Sequence, residues 1–198
     1  MTPSTAPDSP YGLPNILTLV RIGLIPIFVI AFYLPFGWSH VASAFIFALA
    51  AVTDWLDGYL ARRLGQVSKL GEFLDPVADK LMVAVALVLL VQTHPTPLFA
   101  VPAAIIVGRE IAISALREWM AELGKRTSVA VSIIGKFKTL GQMLALLLLL
   151  YREPLGAFPT TAVGFVLLYI AAGATLWSMA VYLRAAWPGL ASRNDNIA

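Results

Sequence analysis

Long apolar segments dominate this sequence and restrict what it can fold into. Each is close to the ~20 residues that a helix needs to cross ~30 Å of hydrocarbon. Because a bilayer offers no water to backbone polar groups, helices are the expected spanning elements. The six segments cover approximately residues 16–36, 41–61, 73–92, 97–120, 133–152 and 160–184. The sequence therefore predicts an all-α, polytopic membrane protein with six transmembrane helices.

The composition excludes several other classes. Hydrophobic residues make up 59% of the chain and charged residues 13%, whereas about 25% charged residues is typical of soluble domains. This is too apolar for a soluble globule or a disordered chain. The absence of cysteine excludes disulfides, iron–sulfur clusters and thiol chemistry. The net charge of +3 comes from scattered residues, which argues against nucleic acid as a partner and favours anionic lipid or substrate.

Basic residues are distributed unevenly among the predicted loops. Arg152 is the only basic residue assigned to the loops after the first, third and fifth segments. The other two loops and the C-terminal tail contain Arg62, Arg63, Lys69, Lys125, Arg126 and Arg193. By the positive-inside rule, this second group and both termini face the cytoplasm. We expect a membrane domain at 14–187, an N-terminal tail at 1–13 that can rest on the membrane surface, and a C-terminal tail at 188–198. The sequence shows no cleavable signal and no Arg-rich leader, which favours a bacterial cytoplasmic membrane.

Four aspartates interrupt two neighbouring apolar segments. Asp54 and Asp57 end the second segment, and Asp75 and Asp79 begin the third. Since these helices run in opposite directions, both pairs lie at the cytoplasmic side. With about 100° of rotation per residue, each pair falls on one helix face. The four carboxylates can therefore converge between two antiparallel helices.

Converging carboxylates near hydrocarbon repel one another unless a cation neutralises them. Oxygen ligands suit Mg²⁺ or Mn²⁺, and the lack of cysteine argues against zinc. The acids have three alternative interpretations: structural pairs with Arg62, Lys69 or Lys80, a proton or cation pathway in a transporter, and an intramembrane aspartyl protease. The last two leave the small residues and the arginine beside the acids unexplained.

The acids belong to a longer pattern, which reads Asp54-x-x-Asp57-Gly58-x-x-Ala61-Arg62, eight residues, Gly71-x-x-x-Asp75-x-x-x-Asp79. This pattern resembles the complete signature of the CDP-alcohol phosphotransferase family, and no position departs from it. The resemblance implies a six-helix membrane fold, usually a homodimer, in which an alcohol displaces CMP from a CDP-linked substrate. Direct in-line transfer is the route it favours, while a covalent route through an aspartate stays open.

The same resemblance implies a role for each position of the signature. Asp54, Asp57 and Asp75 would hold two Mg²⁺ or Mn²⁺ ions that grip the diphosphate. Asp79 would be a further metal ligand and the general base that deprotonates the acceptor hydroxyl. The CDP-binding positions would be Gly58, Ala61, Arg62 and Gly71.

A second group of charges lies in the fourth and fifth segments. Arg109 and Arg117 are eight residues apart on one helical stripe, and Lys136 and Lys138 open the fifth segment. A basic pocket beside a metal site indicates an acceptor that carries its own phosphate. The alternatives are snorkelling to the membrane surface and pairing with neighbouring glutamates, namely Glu110, Glu118 and Glu122.

Four stretches narrow the resemblance to bacterial members of the family that use sn-glycerol 3-phosphate as acceptor. They are residues 13–21, 54–80, 109–120 and 135–139. The implied reaction joins CDP-diacylglycerol and glycerol 3-phosphate to give phosphatidylglycerophosphate and CMP, with a sister enzyme for another polar alcohol as the nearest alternative. Arg117 and Lys136 would hold the acceptor phosphate, with Arg109 as a third candidate. Asn15, Thr18 and Arg21 are candidates for lining the pocket from the first helix, although structural pairing explains Arg21 equally well.

Overall fold

The structure is a computed structural model that describes residues 13–64, 69–122 and 133–191. Within these ranges the secondary structure is helical, apart from one isolated bridge between Leu155 and Phe158. The helices are α1 (Leu13–Tyr33), α2 (Ser39–Leu64), α3 (Lys69–Thr93), α4 (Pro97–Glu122), α5 (Ile133–Tyr151) and α6 (Thr160–Ala191). Each apolar segment coincides with one helix, so the all-α prediction is confirmed for the described part of the chain.

In the described part of the chain, four helices contain stretches long and apolar enough to cross a membrane. These stretches are Asn15–Tyr33, Ser39–Leu60, Pro97–Met120 and Thr160–Arg184. A shorter apolar stretch, Thr139–Tyr151, lies in α5. The prediction of six spans is therefore confirmed in part, as a chain with several membrane-spanning helices.

The ends of the predicted membrane domain differ slightly from the helix ends. The N-terminal tail at 1–13 lies outside the described residues except for Leu13, where α1 begins. The last helix, α6, continues to Ala191, past the predicted domain end at 187. The C-terminal tail from 192 onward lies outside the described residues.

The chain divides into two compact units. The first contains the described residues up to Leu90 together with Leu150–Glu153, and so includes α1, α2 and most of α3. Its core contains large aromatic side chains: Phe28 and Phe47 are buried, and their ring centroids lie 6.2 Å apart. Because lipid is as apolar as these side chains, van der Waals packing and polar contacts hold α1 against α2.

The second unit contains Val91–Leu149 and the described residues from Pro154 onward. Within it α4 packs against α6, and the hydroxyl of Tyr169 donates to the carbonyl of Leu98 at 2.8 Å. A close approach joins α5 and α6, because a Cβ at Gly164 would lie 2.8 Å from Cγ of Leu149. Small residues at such points allow helix backbones to come together in lipid.

Candidate carboxylate site in the first unit

Three polar side chains of α1 are buried inside an apolar helix. Asn15, Thr18 and Arg21 are 3%, 1% and 1% exposed. Their spacing of three residues spreads them over about 120° of the helix surface. Buried polar groups at membrane depth require partners within the protein. The partner of Thr18 lies on α3, and those of Arg21 lie on α2.

Arg21 joins the two aspartates of α2. Its Nη1 donates to Oδ1 of Asp54 at 2.5 Å, and its Nη2 donates to Oδ2 of Asp57. The two acids are three residues apart, so α2 presents them on one face. They differ in exposure, because the side chain of Asp57 is 3% exposed and that of Asp54 is 42% exposed. One guanidinium therefore bridges an enclosed carboxylate and an accessible one.

Thr18 joins α1 to α3. Its hydroxyl donates to Oδ1 of Asp75 at 2.5 Å. The carboxylate of Asp75 is also close enough to those of Asp54 and Asp57 for electrostatic repulsion between them. Three acids from two helices thus meet one face of α1. Asp79 follows one turn later on α3 and is partly buried.

The structure brings together three of the four acids that the sequence indicated, and it adds Arg21, whose role the sequence left undecided. Pairing with Arg62, Lys69 or Lys80 was the structural alternative, and the side chains of Arg62 and Lys69 lie outside the description; among the described side chains, Asp54 and Asp57 bond to Arg21. One feature of the sequence indicates that Arg21 pairs with acids of another helix. Arg21 is the only charged residue in the segment 16–36, and a lone charge in a membrane span requires a partner of opposite sign.

Other signature positions surround the acids along α2 and α3. Gly58 is partly buried and Gly71 is buried. Ala61 and Arg62 lie in α2, but their side chains fall outside the described part of the structure. The glycines leave space beside the carboxylates because they carry no side chain.

The donor set of this site fits a hard divalent cation. The carboxylate oxygens of Asp54, Asp57 and Asp75 are the ligands that Mg²⁺ and Mn²⁺ prefer, and the bridging guanidinium shows that positive charge is accommodated between the first two. Among the described residues, no group of three or more histidine or acidic side chains is arranged to enclose a metal ion directly. The chemistry of the ligands fits such a cation, but their arrangement here does not enclose one, and Arg21 is bonded to two of them.

Arg109, one of the predicted phosphate-binding residues, lies in the second unit. Its Nη1 donates to Oε1 of Glu110 at 2.5 Å, and its Nη2 donates to Oγ of Ser178 in α6 at 3.4 Å. Its Nε is buried and has no hydrogen-bond partner among the described residues. The side chains of Arg117 and Lys136 lie outside the description, so the predicted acceptor pocket stays a prediction.

The fold and the site define a class: an all-helical, multi-pass membrane protein with an internal cluster of carboxylates. Comparison with known families is more specific, since the family described as CDP-alcohol phosphatidyltransferase matches residues 11–177. The match spans most of the chain, including the acids of α2 and α3. The chain belongs to the CDP-alcohol phosphatidyltransferase family.

Several bacterial relatives resemble this chain along nearly all of its length. A protein of Pseudomonas fluorescens is 58% identical over 180 residues, which cover 90% of this chain and 92% of the relative. A protein of Pectobacterium atrosepticum is 57% identical, with 89% and 95% covered. A third, from Yersinia pestis, is 56% identical, with 90% and 97% covered. All three are named CDP-diacylglycerol–glycerol-3-phosphate 3-phosphatidyltransferase.

Proposed function

We propose that this chain transfers the phosphatidyl group of CDP-diacylglycerol to sn-glycerol 3-phosphate, giving phosphatidylglycerophosphate and CMP in phospholipid biosynthesis. One observation carries the proposal: three of the four acids of a complete family signature meet at one face of α1. The names of relatives 56–58% identical to this chain support the same donor and acceptor.

The acids of α2 and α3 suit the diphosphate of the donor. Asp54, Asp57 and Asp75 would hold two divalent ions, Mg²⁺ or Mn²⁺, with Asp79 as a further ligand. When bound, these ions supply positive charge that stabilises the entering and leaving oxygens of the transfer. Arg62 and the small positions Gly58, Ala61 and Gly71 would receive the CDP group.

Asp79 is the proposed general base. Its carboxylate would accept the proton of a free hydroxyl of glycerol 3-phosphate, whose oxygen then bonds to the phosphorus that carries diacylglycerol. The bond from this phosphorus to the oxygen of the CMP phosphate breaks, and CMP leaves with that electron pair. A carboxylate can serve as base when its geometry and surroundings match its pKa to the task.

A basic pocket would hold the phosphate of the acceptor. Arg117 and Lys136 are the proposed ligands, with Arg109 as a third. A guanidinium binds a phosphate through two parallel hydrogen bonds, which fixes orientation as well as charge. Asn15, Thr18 and Arg21 would line the site from α1, and the contacts of Thr18 and Arg21 with the acids support this.

The membrane setting is part of the proposal. We place the protein in the bacterial cytoplasmic membrane as a homodimer, with six spans per chain and with both termini and the site facing the cytoplasm. The chain has no cysteine, so single-cysteine variants report accessibility cleanly. In intact spheroplasts, an impermeant maleimide should label T96C and leave S68C unlabelled until the membrane is opened.

The activity is tested by CMP release from purified full-length protein. With CDP-diacylglycerol and Mg²⁺, glycerol 3-phosphate should support release, whereas serine and inositol phosphate should not. Release with one of the other acceptors alone would overturn the acceptor assignment and leave the family reaction standing. No release with any acceptor would overturn the enzymatic proposal.

A further inference from the structure

Arg21 is a cation already held by two of the acids to which metal binding is assigned. Its side chain is 1% exposed, as enclosed as that of Asp57 at 3%, while Asp54 is 42% exposed. Each Nη bonds a different carboxylate. The guanidinium therefore lies between the two acids, and Asp54 is their accessible member.

Among the described side chains that bond to Arg21 or Thr18, the charges do not cancel. Asp54, Asp57 and Asp75 carry three negative charges and Arg21 one positive charge, so the group has a net charge of −3 + 1 = −2. Such an excess attracts a further cation. The carboxylate oxygens nearest to Arg21 are, however, already bonded to it.

Within the described residues, the guanidinium bonds to Asp54 and Asp57. Among the described residues, the buried Nε of Arg21 has no hydrogen-bond partner. In the part of the chain that the structure describes, the two hydrogen bonds of the Arg21 side chain are both to carboxylates, and their disruption would leave an ionised group without this partner at membrane depth. The main electrostatic role of Arg21 is thus to neutralise Asp54 and Asp57.

We propose that Arg21 is the internal counter-ion of this acid cluster and competes with divalent cations for Asp54 and Asp57. The proposal rests on the proposed function, because it requires a divalent ion to bind these acids. Two consequences follow from the charge of the guanidinium. It lowers the affinity of the acids for the ion, and it keeps the acids neutralised when the ion is scarce.

The test uses purified full-length protein in detergent and measures two quantities. The first is the dissociation constant of Mn²⁺, from the paramagnetic resonance signal of the free ion. The second is Tm in EDTA. Because R21Q removes a positive charge beside the site, it should bind Mn²⁺ at least about threefold more tightly. It should also have a lower Tm in EDTA, and the rise in Tm on adding Mn²⁺ should exceed that of the wild type.

A matched control removes the same charge from an exposed place. Arg63 lies on α2 and donates to the hydroxyl of Tyr59 at 3.1 Å. R63Q should leave both quantities near wild type, since water and salt screen an exposed charge. R21K keeps the charge but lacks the two-pronged guanidinium, so its Mn²⁺ affinity should lie between those of the wild type and R21Q. If R21Q does not fold, R21K alone tests the proposal. The proposal then requires R21K to bind Mn²⁺ more tightly than the wild type does.

The remaining outcomes separate this inference from the proposed function. If R21Q binds Mn²⁺ as tightly as the wild type or more weakly, Arg21 does not compete with the ion. Its role is then to hold the acids in place. If the wild type binds no Mn²⁺ yet releases CMP without added metal, both the metal assignment and the competition fail. If the wild type binds Mn²⁺ as predicted but releases no CMP, the inference stands and the proposed reaction fails.

Discussion

The hydroxyl of Thr18 donates to the carboxylate of Asp75, with 2.5 Å between Oγ1 and Oδ1. The two residues are 57 positions apart in the chain and belong to α1 and α3. Thr18 is 1% exposed, so water does not replace this bond. The contact fixes one oxygen of an acid that we assign to metal binding, and it makes α1 part of the site.

T18V replaces the hydroxyl with a methyl group of similar size. We expect kcat/KM for CMP release to fall by about tenfold, because a hydrogen bond to a charged group contributes about 1.5–3 kcal/mol. T18S keeps the hydroxyl and should retain most of the activity. Equal activity in T18V and the wild type would mean that Asp75 does not depend on this donor.

The apolar segments predicted the helices well because length and hydropathy decide what can cross a bilayer. The spacing of the acids also predicted that Asp54 and Asp57 share a face. Both are local properties of a single helix, so they can be worked out from the sequence by counting residues.

The partners of the acids depend on how one helix is rotated against another, which local spacing does not determine. The 120° spread of Asn15, Thr18 and Arg21 left open whether all three point inward, and all three are buried. Similarly, an adjacent glutamate and a serine of α6 contact Arg109. Such pairs are settled by tertiary packing, where a buried charge selects the nearest group able to neutralise it.

Asp79→Asn removes the proposed general base while keeping the size of the side chain. We expect kcat to fall by about 10²- to 10⁴-fold, the usual contribution of a positioned base. Mn²⁺ binding should persist in weakened form because the other three acids remain. E153Q is the matched control, since Glu153 is 62% exposed and contacts His40 at 3.0 Å. Turnover of D79N close to that of E153Q would refute the role of Asp79.

Arg117→Ala tests the proposed acceptor pocket. The KM for glycerol 3-phosphate should rise by about tenfold or more, since a charged hydrogen-bond pair contributes about 1.5–3 kcal/mol. The KM for CDP-diacylglycerol should change little. R184Q, which removes an exposed basic residue of α6, provides the comparison. An unchanged acceptor KM in R117A would remove this residue from the pocket.

Arg109 bonds to Ser178, so variants of these two residues can separate a structural role of Arg109 from a role in acceptor binding. S178A removes the bond from Arg109 to α6, together with the bond from Ser178 Oγ to the carbonyl of Thr175, so it should lower stability by about 1 kcal/mol or less and leave the acceptor KM unchanged. R109Q should lower stability further, because Glu110 loses its bond to the guanidinium, and should also raise the acceptor KM. Thermal unfolding and acceptor titration of both variants decide the matter. If R109Q lowers Tm without changing KM, Arg109 serves only to hold the helices together.

Gly164 provides a stability test that is independent of the active site. A Cβ there would lie 2.8 Å from Cγ of Leu149 and 3.3 Å from the carbonyl oxygen of Ala145. G164A should therefore destabilise the protein by about 1–3 kcal/mol, as overpacking does in other interiors, and lower Tm in detergent. G173A, on the same helix with nothing within 4 Å of the added atom, should leave Tm unchanged or raise it, since alanine favours helix over glycine by about 1 kcal/mol. The further loss of Tm caused by G164A should be smaller in an L149A background than in the wild type, because the side chain that the new methyl meets is then shorter. If G164A is as stable as G173A, α5 and α6 do not approach as closely as the structure has them.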